Sequence, residues 1–249
     1  MVNCNTASFD SDVEEVVIME YFYGREKKLK LIVMRTSYFQ FINYNYIGID
    51  LQTKQAFVVD PAWDLNGIES ILSMEEAKLS AIFITHSHID HVNLASTLAQ
   101  TYQVPVYISE QERQFYHFIG TNLCEFSDGK KVSVGATQVE CITTPGHTFG
   151  SACYRADGLC FTGDTVFIEG CGMCTFYGGS VEKMYDSFQD LRERLKGDDR
   201  IFPGHRYKGM PGETFQEVKQ NNIYFLIEKK QKFIDIRNRF NSTKQFYGI

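Results

Sequence analysis

The sequence predicts an α+β protein in which two β-sheets pack face to face and helices cover the outside. Three observations predict this. Strand-like apolar runs fall into two blocks, Leu29–Val59 and Lys131–Thr162. Each block is followed by stretches with helical spacing of apolar residues. The 249 residues, 43% hydrophobic and 22% charged, have ordinary globular composition and suffice for one large domain.

Residues 1–24 are weakly patterned and read as an N-terminal extension; 25–249 read as a single domain. Leu29–Met34 is a largely apolar strand with Lys30 its one charge. Tyr44–Ile49, a turn at Gln52–Gln55 and Ala56–Val59 form a meander into a buried strand that ends at Asp60. Leu65–Leu79 reads as a helix, carrying Ile68, Ile71, Leu72 and Leu79. Ala81–Thr85 is a short continuous apolar run, hence a buried strand, and it leads into a His-rich loop. Asn93 is the expected cap of a helix to Tyr102; Val104–Ile108 is a strand and Glu110–Ile119 a helix. Four strands follow: Lys131–Val134, Gln138–Thr143, Ser151–Arg155 and Leu159–Thr162. Turns at Asp128-Gly129, Gly135 and Asp157-Gly158 separate them. Ser180 caps a helix whose apolar positions Val181, Met184, Tyr185, Phe188, Leu191 and Leu195 line one face, and Gly197 closes it. Arg200–Phe202 is a last short strand, and Phe215 to about Ile236 a C-terminal helix.

The net charge of −6 argues against a nucleic-acid or anionic-membrane partner. No run of eighteen apolar residues exists, so no transmembrane helix is expected. The N-terminus is acidic before its apolar stretch, the reverse of a secretory signal. Seven cysteines, mostly inside strand-like runs, read as reduced, buried thiols in a cytoplasm rather than a disulfide framework.

Three of the six histidines fall in Thr85-His86-Ser87-His88-Ile89-Asp90-His91. Imidazole nitrogens and carboxylate oxygens are the ligands of zinc and similar ions, and a loop after a buried strand can aim several at one point. A polar surface loop is the bland alternative, and chance clustering of this density is improbable. His147 follows the strand Gln138–Thr143, Asp164 follows Leu159–Thr162, and His205 follows Arg200–Phe202. Each lies in a Gly-containing turn, where the backbone can bend sharply and come close to a site.

This set resembles the motifs of the metallo-β-lactamase superfamily over roughly residues 30–235. The resemblance implies a four-layer αββα sandwich with metals at one edge between the sheets. It implies two divalent ions, Zn2+ foremost, with iron or manganese as alternatives. His86, His88 and His147 would hold one ion, and Asp90, His91 and His205 the other. Asp164 would bridge them, and Asp90 would also orient the nucleophilic water as the catalytic residue. Secreted β-lactamases often place Cys at the position of Asp164, and the diiron flavoproteins place an acidic residue at that of His88. The pattern here is that of hydrolases similar to glyoxalase II. The extra domains or basic arm of the superfamily's nucleases are not visible.

Two ions about 3.5–4 Å apart can share a bridging hydroxide, and coordination brings the water's pKa down to roughly 7. An amide nitrogen must be protonated to leave, whereas a thiolate, of parent pKa about 8.5, leaves unassisted. His117, the one histidine outside the set, lies on a predicted helix and reads as an ordinary surface residue. A thioester is therefore favoured over an amide, with an ester or lactone second.

The loop Glu169–Cys174 resembles the Gly-Cys-Gly loop after the bridging Asp in glyoxalase II. Cys171, Gly172, Phe176 and Tyr177 are candidate substrate-lining residues. Cys171 and Cys174 alone are half a zinc site, so packing or lining is expected of them. Too few residues follow His205 for the helical, glutathione-holding domain of glyoxalase II. The zinc-dependent hydrolases found with bacterial polyketide synthases look closer, through Val59–Trp63, Glu169–Cys174, Phe202–His205, Pro211–Phe215 and Asn221–Phe225. That resemblance implies a cytoplasmic monomer or small homo-oligomer that removes acyl groups from acyl carrier protein or coenzyme A thioesters. An acidic carrier would need a basic patch, for which Arg25, Lys27, Lys28 and Lys30, or Lys229, Lys230 and Lys232, are candidates. The competing readings are a glyoxalase II-type S-acylglutathione hydrolase, a lactonase, an iron persulfide dioxygenase, and a non-enzymatic binding module. The last has no physical reason to retain costly clustered polar groups.

Overall fold

The computed structural model describes residues 4–6, 17–23, 28–39 and 41–242. The first sheet runs in chain order: β1 (Cys4–Thr6), β2 (Val17–Tyr23), β3 (Leu29–Tyr38), β4 (Phe41–Asp50), β5 (Gln55–Val59), β6 (Lys78–Phe83), β7 (Val106–Ser109) and β8 (Leu123–Phe126). β1 to β5 pair antiparallel, and β5 to β8 pair parallel. β1 and β2 fall in the stretch expected as an extension and join the sheet through β3.

The second sheet holds β9 (Lys131–Val134), β10 (Thr137–Thr143), β11 (Ala152–Ala156), β12 (Leu159–Gly163), β13 (Arg200–Pro203) and β14 (Glu213–Thr214). Its order is β14-β13-β12-β11-β10-β9, with β12 and β13 the one parallel pair. The helices are α1 (Leu65–Met74), α2 (Ile89–Val92), α3 (Ala95–Tyr102), α4 (Glu110–Tyr116), α5 (Val181–Arg194), α6 (Phe215–Asn221) and α7 (Lys230–Ser242).

Strand alternation sorts the core into three clusters. Leu29, Leu31 and Val33 of β3 face Tyr154, Phe161 and Phe202 of the second sheet. Ile32 and Met34 face the other way, onto Ile68, Ile71 and Leu98 of α1 and α3. Cys153, Cys160 and Ile201 pack on Met184, Phe188 and Phe233 of α5 and α7. The layers are thus helix, sheet, sheet, helix, as the resemblance implied. The free cysteines Cys141, Cys153, Cys160, Cys171 and Cys174 are buried, and Cys124 is half-buried.

Several boundaries differ from expectation. α1 stops at Met74, because Glu76 turns left-handed (φ 51°) and the chain re-enters the sheet at Lys78. Asn93 does not cap α3; its side-chain oxygen accepts the Trp63 N–H instead. α5 ends at Arg194, before Gly197, as Leu195 becomes extended. The expected C-terminal helix is three pieces, α6, a 3₁₀ turn at Ile223–Leu226, and α7. Buried Asn222 makes the break: its amide donates to the carbonyls of Phe167 and Gly170, and its oxygen caps Tyr224 N–H. β8 lacked an expected counterpart in the sequence.

Candidate metal centre

Strand ends deliver the site. β5 leads into Asp60, β6 into His86–His91, β10 into His147, β12 into Asp164 and β13 into His205. The short helix α2 carries Asp90 and His91 on its single turn, directly after His88. Gly204 lets the last loop close in: a Cβ there would lie 2.6 Å from both Asp164 Oδ1 and His91 Cε1.

All seven expected residues converge. His88 Nδ1 lies 3.1 Å from both His86 Nε2 and His147 Nε2. On the other side, Asp90 Oδ2 lies 3.3 Å from His205 Nε2 and 3.6 Å from His91 Nε2. Asp164 stands between: Oδ1 is 3.6 Å from His91 Nε2, and Oδ2 is 3.5 Å from the Nε2 atoms of both His147 and His205. Within each of the groups His86–His88–His147, His86–His91–Asp164 and Asp90–His91–His205, ligand atoms lie within 4.8 Å of one another.

The donors suit divalent cations. Ring nitrogens that face one another this closely cannot all carry protons. His91 Nε2 and Asp164 Oδ1 are buried without a hydrogen-bond partner, both aimed at the same space. Nitrogen and carboxylate oxygen are what zinc and its neighbours take.

The outward nitrogen of each of four rings is held, which orients the inward one. His91 Nδ1 donates to Asp60 Oδ2 (2.9 Å), His147 Nδ1 to the Met173 carbonyl (2.6 Å) and His205 Nδ1 to the Ile42 carbonyl (2.7 Å). His86 Nδ1 meets Thr85 Oγ1 at 3.0 Å, and that hydroxyl donates to Asp60 Oδ2 (2.6 Å). Asp60, itself at φ 49°, therefore serves rings in both halves of the cluster.

Charge divides the cluster. Burial depresses His86 and His88 and brings His147 down to about 4, so these imidazoles are neutral at pH 7. Burial also opposes charge on His91, but Asp60, Asp164 and Asp90 outweigh it and raise the ring to about 10. His205 is raised against its own burial by Asp164 and by its hydrogen bond to Asp90. Asp90 is held far below the usual carboxylate range: burial would raise it, but the hydrogen bond from His205 and the His91 charge prevail.

Two further residues support the loops. Glu112, fully buried, accepts from Ser87 N and Oγ (2.8 and 2.7 Å), Thr148 Oγ1 (2.8 Å) and Gly150 N (2.9 Å). It ties the His86–His88 loop to the His147 loop. Asn43 holds Asp90 from the opposite side. None of Asp60, Thr85, Glu112 and Asn43 is among the site residues expected from the sequence. Asp60 alone had a local signal, an Asp at the end of a buried strand.

Among the expected lining residues, Phe176 is 47% exposed with its ring 5.4 Å from that of His88. Tyr177 lies farther out, stacked on Phe115, which in turn stacks on Phe149. For Cys171 and Gly172 the contacts observed are packing contacts. Cys171 packs in the helix-side core with Tyr224 and Phe225, and burial pushes its thiol far up. Gly172 backs onto the outer Nδ1 edge of His147, where a Cβ would approach to 2.8 Å. Cys174 is buried too, its thiol pushed up to about 11 by burial. Arg237 of α7, also buried, donates to the Gly172 carbonyl (2.9 Å) and so seats this loop.

The basic patches fare differently. Arg25 and Lys27 lie outside the described residues. Lys30 is no part of an exposed patch, being buried and paired with Glu75 at 2.5 Å. Lys230 pairs with Asp186 at 2.6 Å. His117 caps the C-terminus of α4 in the open, apart from the clustered rings.

Comparison with known proteins agrees with this geometry. The chain is 42% identical over 217 residues to the probable polyketide biosynthesis zinc-dependent hydrolase PksB of Bacillus subtilis, covering 87% of this chain and 96% of that one. It is 34% identical over 166 residues to a hydroxyacylglutathione hydrolase of Pseudoalteromonas translucida, covering 66% and 61%. Among solved structures, ETHE1 from Myxococcus xanthus superposes with a TM-score of 0.71 at 28% identity, over 81% of this chain and 88% of that one. Residues 39–205, which carry every converging residue of the cluster, match the family description of the Metallo-beta-lactamase superfamily, and the chain belongs to that superfamily.

Proposed function

We propose that the protein is a metal-dependent hydrolase that cleaves acyl thioesters on acyl carrier protein or coenzyme A in cytoplasmic polyketide biosynthesis. The observation that carries the reading is the pair of ligand sets sharing Asp164. His86, His88 and His147 would hold one divalent ion, Asp90, His91 and His205 a second, and Asp164 would lie between them. Bound ions of this kind supply Lewis acidity and a nucleophile at neutral pH.

The chain's own residues do the rest. Asp90 stays ionised because its pKa is so depressed, so it orients an attacking water by accepting its hydrogen bond and is a poor proton store. A departing thiolate needs no protonation, which fits a cluster whose rings are all engaged as ligands. Phe176 flanks the His88 side and offers an apolar surface to an acyl chain. The relationship to the PksB hydrolase over nearly its whole length supports the polyketide setting. A second reading, S-acylglutathione hydrolysis, is favoured by the 34% identity to a hydroxyacylglutathione hydrolase.

Turnover of acyl groups on acyl carrier protein, followed by intact-protein mass spectrometry beside an S-lactoylglutathione assay, tests the choice. Loss of the acyl mass with weak glutathione-thioester cleavage is expected. Brisk cleavage of S-lactoylglutathione with every carrier left intact would move the protein to the second reading.

A further inference from the structure

A buried amide grips Asp90 at two oxygens. Asn43, on β4 and 1% exposed, donates from Nδ2 to the Asp90 carbonyl (2.9 Å) and to Asp90 Oδ2 (3.1 Å). Its own Oδ1 accepts the indole N–H of Trp63 at 2.9 Å. An indole nitrogen only donates, and the two Asp90 oxygens only accept while the carboxylate is ionised. The Asn43 amide can therefore satisfy both neighbours in one orientation alone. That orientation turns its NH₂ toward Asp90.

Trp63 is itself held for this contact. It sits at φ 70°, a backbone region that bulky side chains rarely adopt. Its backbone N–H donates to Asn93 Oδ1 (3.0 Å), and Tyr38 stacks on its ring at 4.8 Å and 13°. The strained conformation places the indole N–H on Asn43. Asp90 lies on one short turn of helix, and Asn43 bonds its backbone carbonyl and its carboxylate at once, which ties the side chain to that turn.

We propose that Asn43 is a positioning residue for Asp90, with Trp63 fixing the orientation of the Asn43 amide. The relay sets which carboxylate oxygen faces His205 and His91. It acts on the Asp90–His91–His205 set rather than on the three-imidazole set, because the Asn43 amide bonds to Asp90 on one side and to the Trp63 indole on the other. The inference rests on Asp90 being a ligand, as proposed above, but not on the identity of the substrate.

The test is stepwise zinc titration of the metal-stripped protein against a competing chelator, with thermal melting of the metal-free form. Wild type should take up two equivalents. Asn43→Ala should weaken the second equivalent by about 10–100-fold, the usual effect of losing a residue that orients a ligand, and leave the first within about twofold. In turnover, kcat should fall while KM stays within about twofold. Trp63→Phe keeps the stack and removes only the N–H donor, and should shift the same equivalent in the same direction by less. Equal weakening of both equivalents would mean general loosening and would overturn the proposal, as would wild-type affinities in Asn43→Ala. If Asn43→Ala does not fold, Trp63→Phe decides: selective weakening of the second equivalent supports the relay, and none refutes it. A wild type that takes up a single equivalent would remove the ligand reading of Asp90, and the relay with it.

Discussion

His86, His88 and His147 meet through ring nitrogens alone, whereas Asp90, His91 and His205 meet around carboxylates. The two sets share one intervening residue, Asp164, yet their electrostatics are opposite. Burial keeps the first set neutral and brings His147 to about 4. Three acidic side chains hold positive charge on His91, raised to about 10. A cation can enter the first set without displacing a proton at pH 7. At the second set it must compete with one. The difference also shows in the supports: Glu112 braces the loops of the first set and Asn43 the second, while Asp60 reaches both.

The largest expected effect breaks the comparison at its reactive end. Asp90→Ala should lower turnover by about 10²–10⁴-fold, the range for losing a residue that handles the attacking water, with the first ion retained. Metal analysis of the same sample checks the second half of that statement. Persistent activity would refute the role of Asp90.

Metal uptake as a function of pH sharpens the comparison. Below its pKa of about 10, His91 binds a proton that must leave when Nε2 accepts a cation. Uptake at the second set should therefore strengthen about tenfold per pH unit from about pH 7 to 9. The first set should be flat over that window, because its rings are already neutral. Calorimetric titration at several pH values separates the two slopes.

Asp60→Asn removes the charge beside His91 and should weaken the second ion by about 10–100-fold, with a smaller effect on the first through Thr85. Glu112→Gln turns an NH₂ group toward donors that all need an acceptor. It should cost about 1–3 kcal/mol of stability, read by thermal melting, and weaken the first ion more than the second.

The clustered residues themselves were legible in the sequence, because each lies in a short motif just after a strand. His86, His88, Asp90 and His91 share one loop, and His147, Asp164 and His205 each sit beside a glycine. The layered fold was legible for a related reason: alternation along β3, β6 and β12 separates the core between the sheets from the cores under the helices. The supporting residues were not legible. Asn43 lies 47 positions from Asp90, and Glu112 lies 25 from Ser87 and 36 from Thr148. Such contacts leave no local spacing to read. For Cys171 the motif left packing and lining both open, and its side chain packs in the helix-side core. The break at Asn222 was hidden because its cause is two carbonyls more than fifty positions away.

Anomalous X-ray diffraction at the zinc edge from crystals of the zinc-loaded protein tests the two-set account most directly. Two peaks are expected. One should lie about 2.0–2.1 Å from His86 Nε2, His88 Nδ1 and His147 Nε2, and the other at similar distance from Asp90 Oδ2, His91 Nε2 and His205 Nε2, with Asp164 reaching both. A single peak at full loading, or peaks that leave Asp90 and His205 without metal, would contradict it.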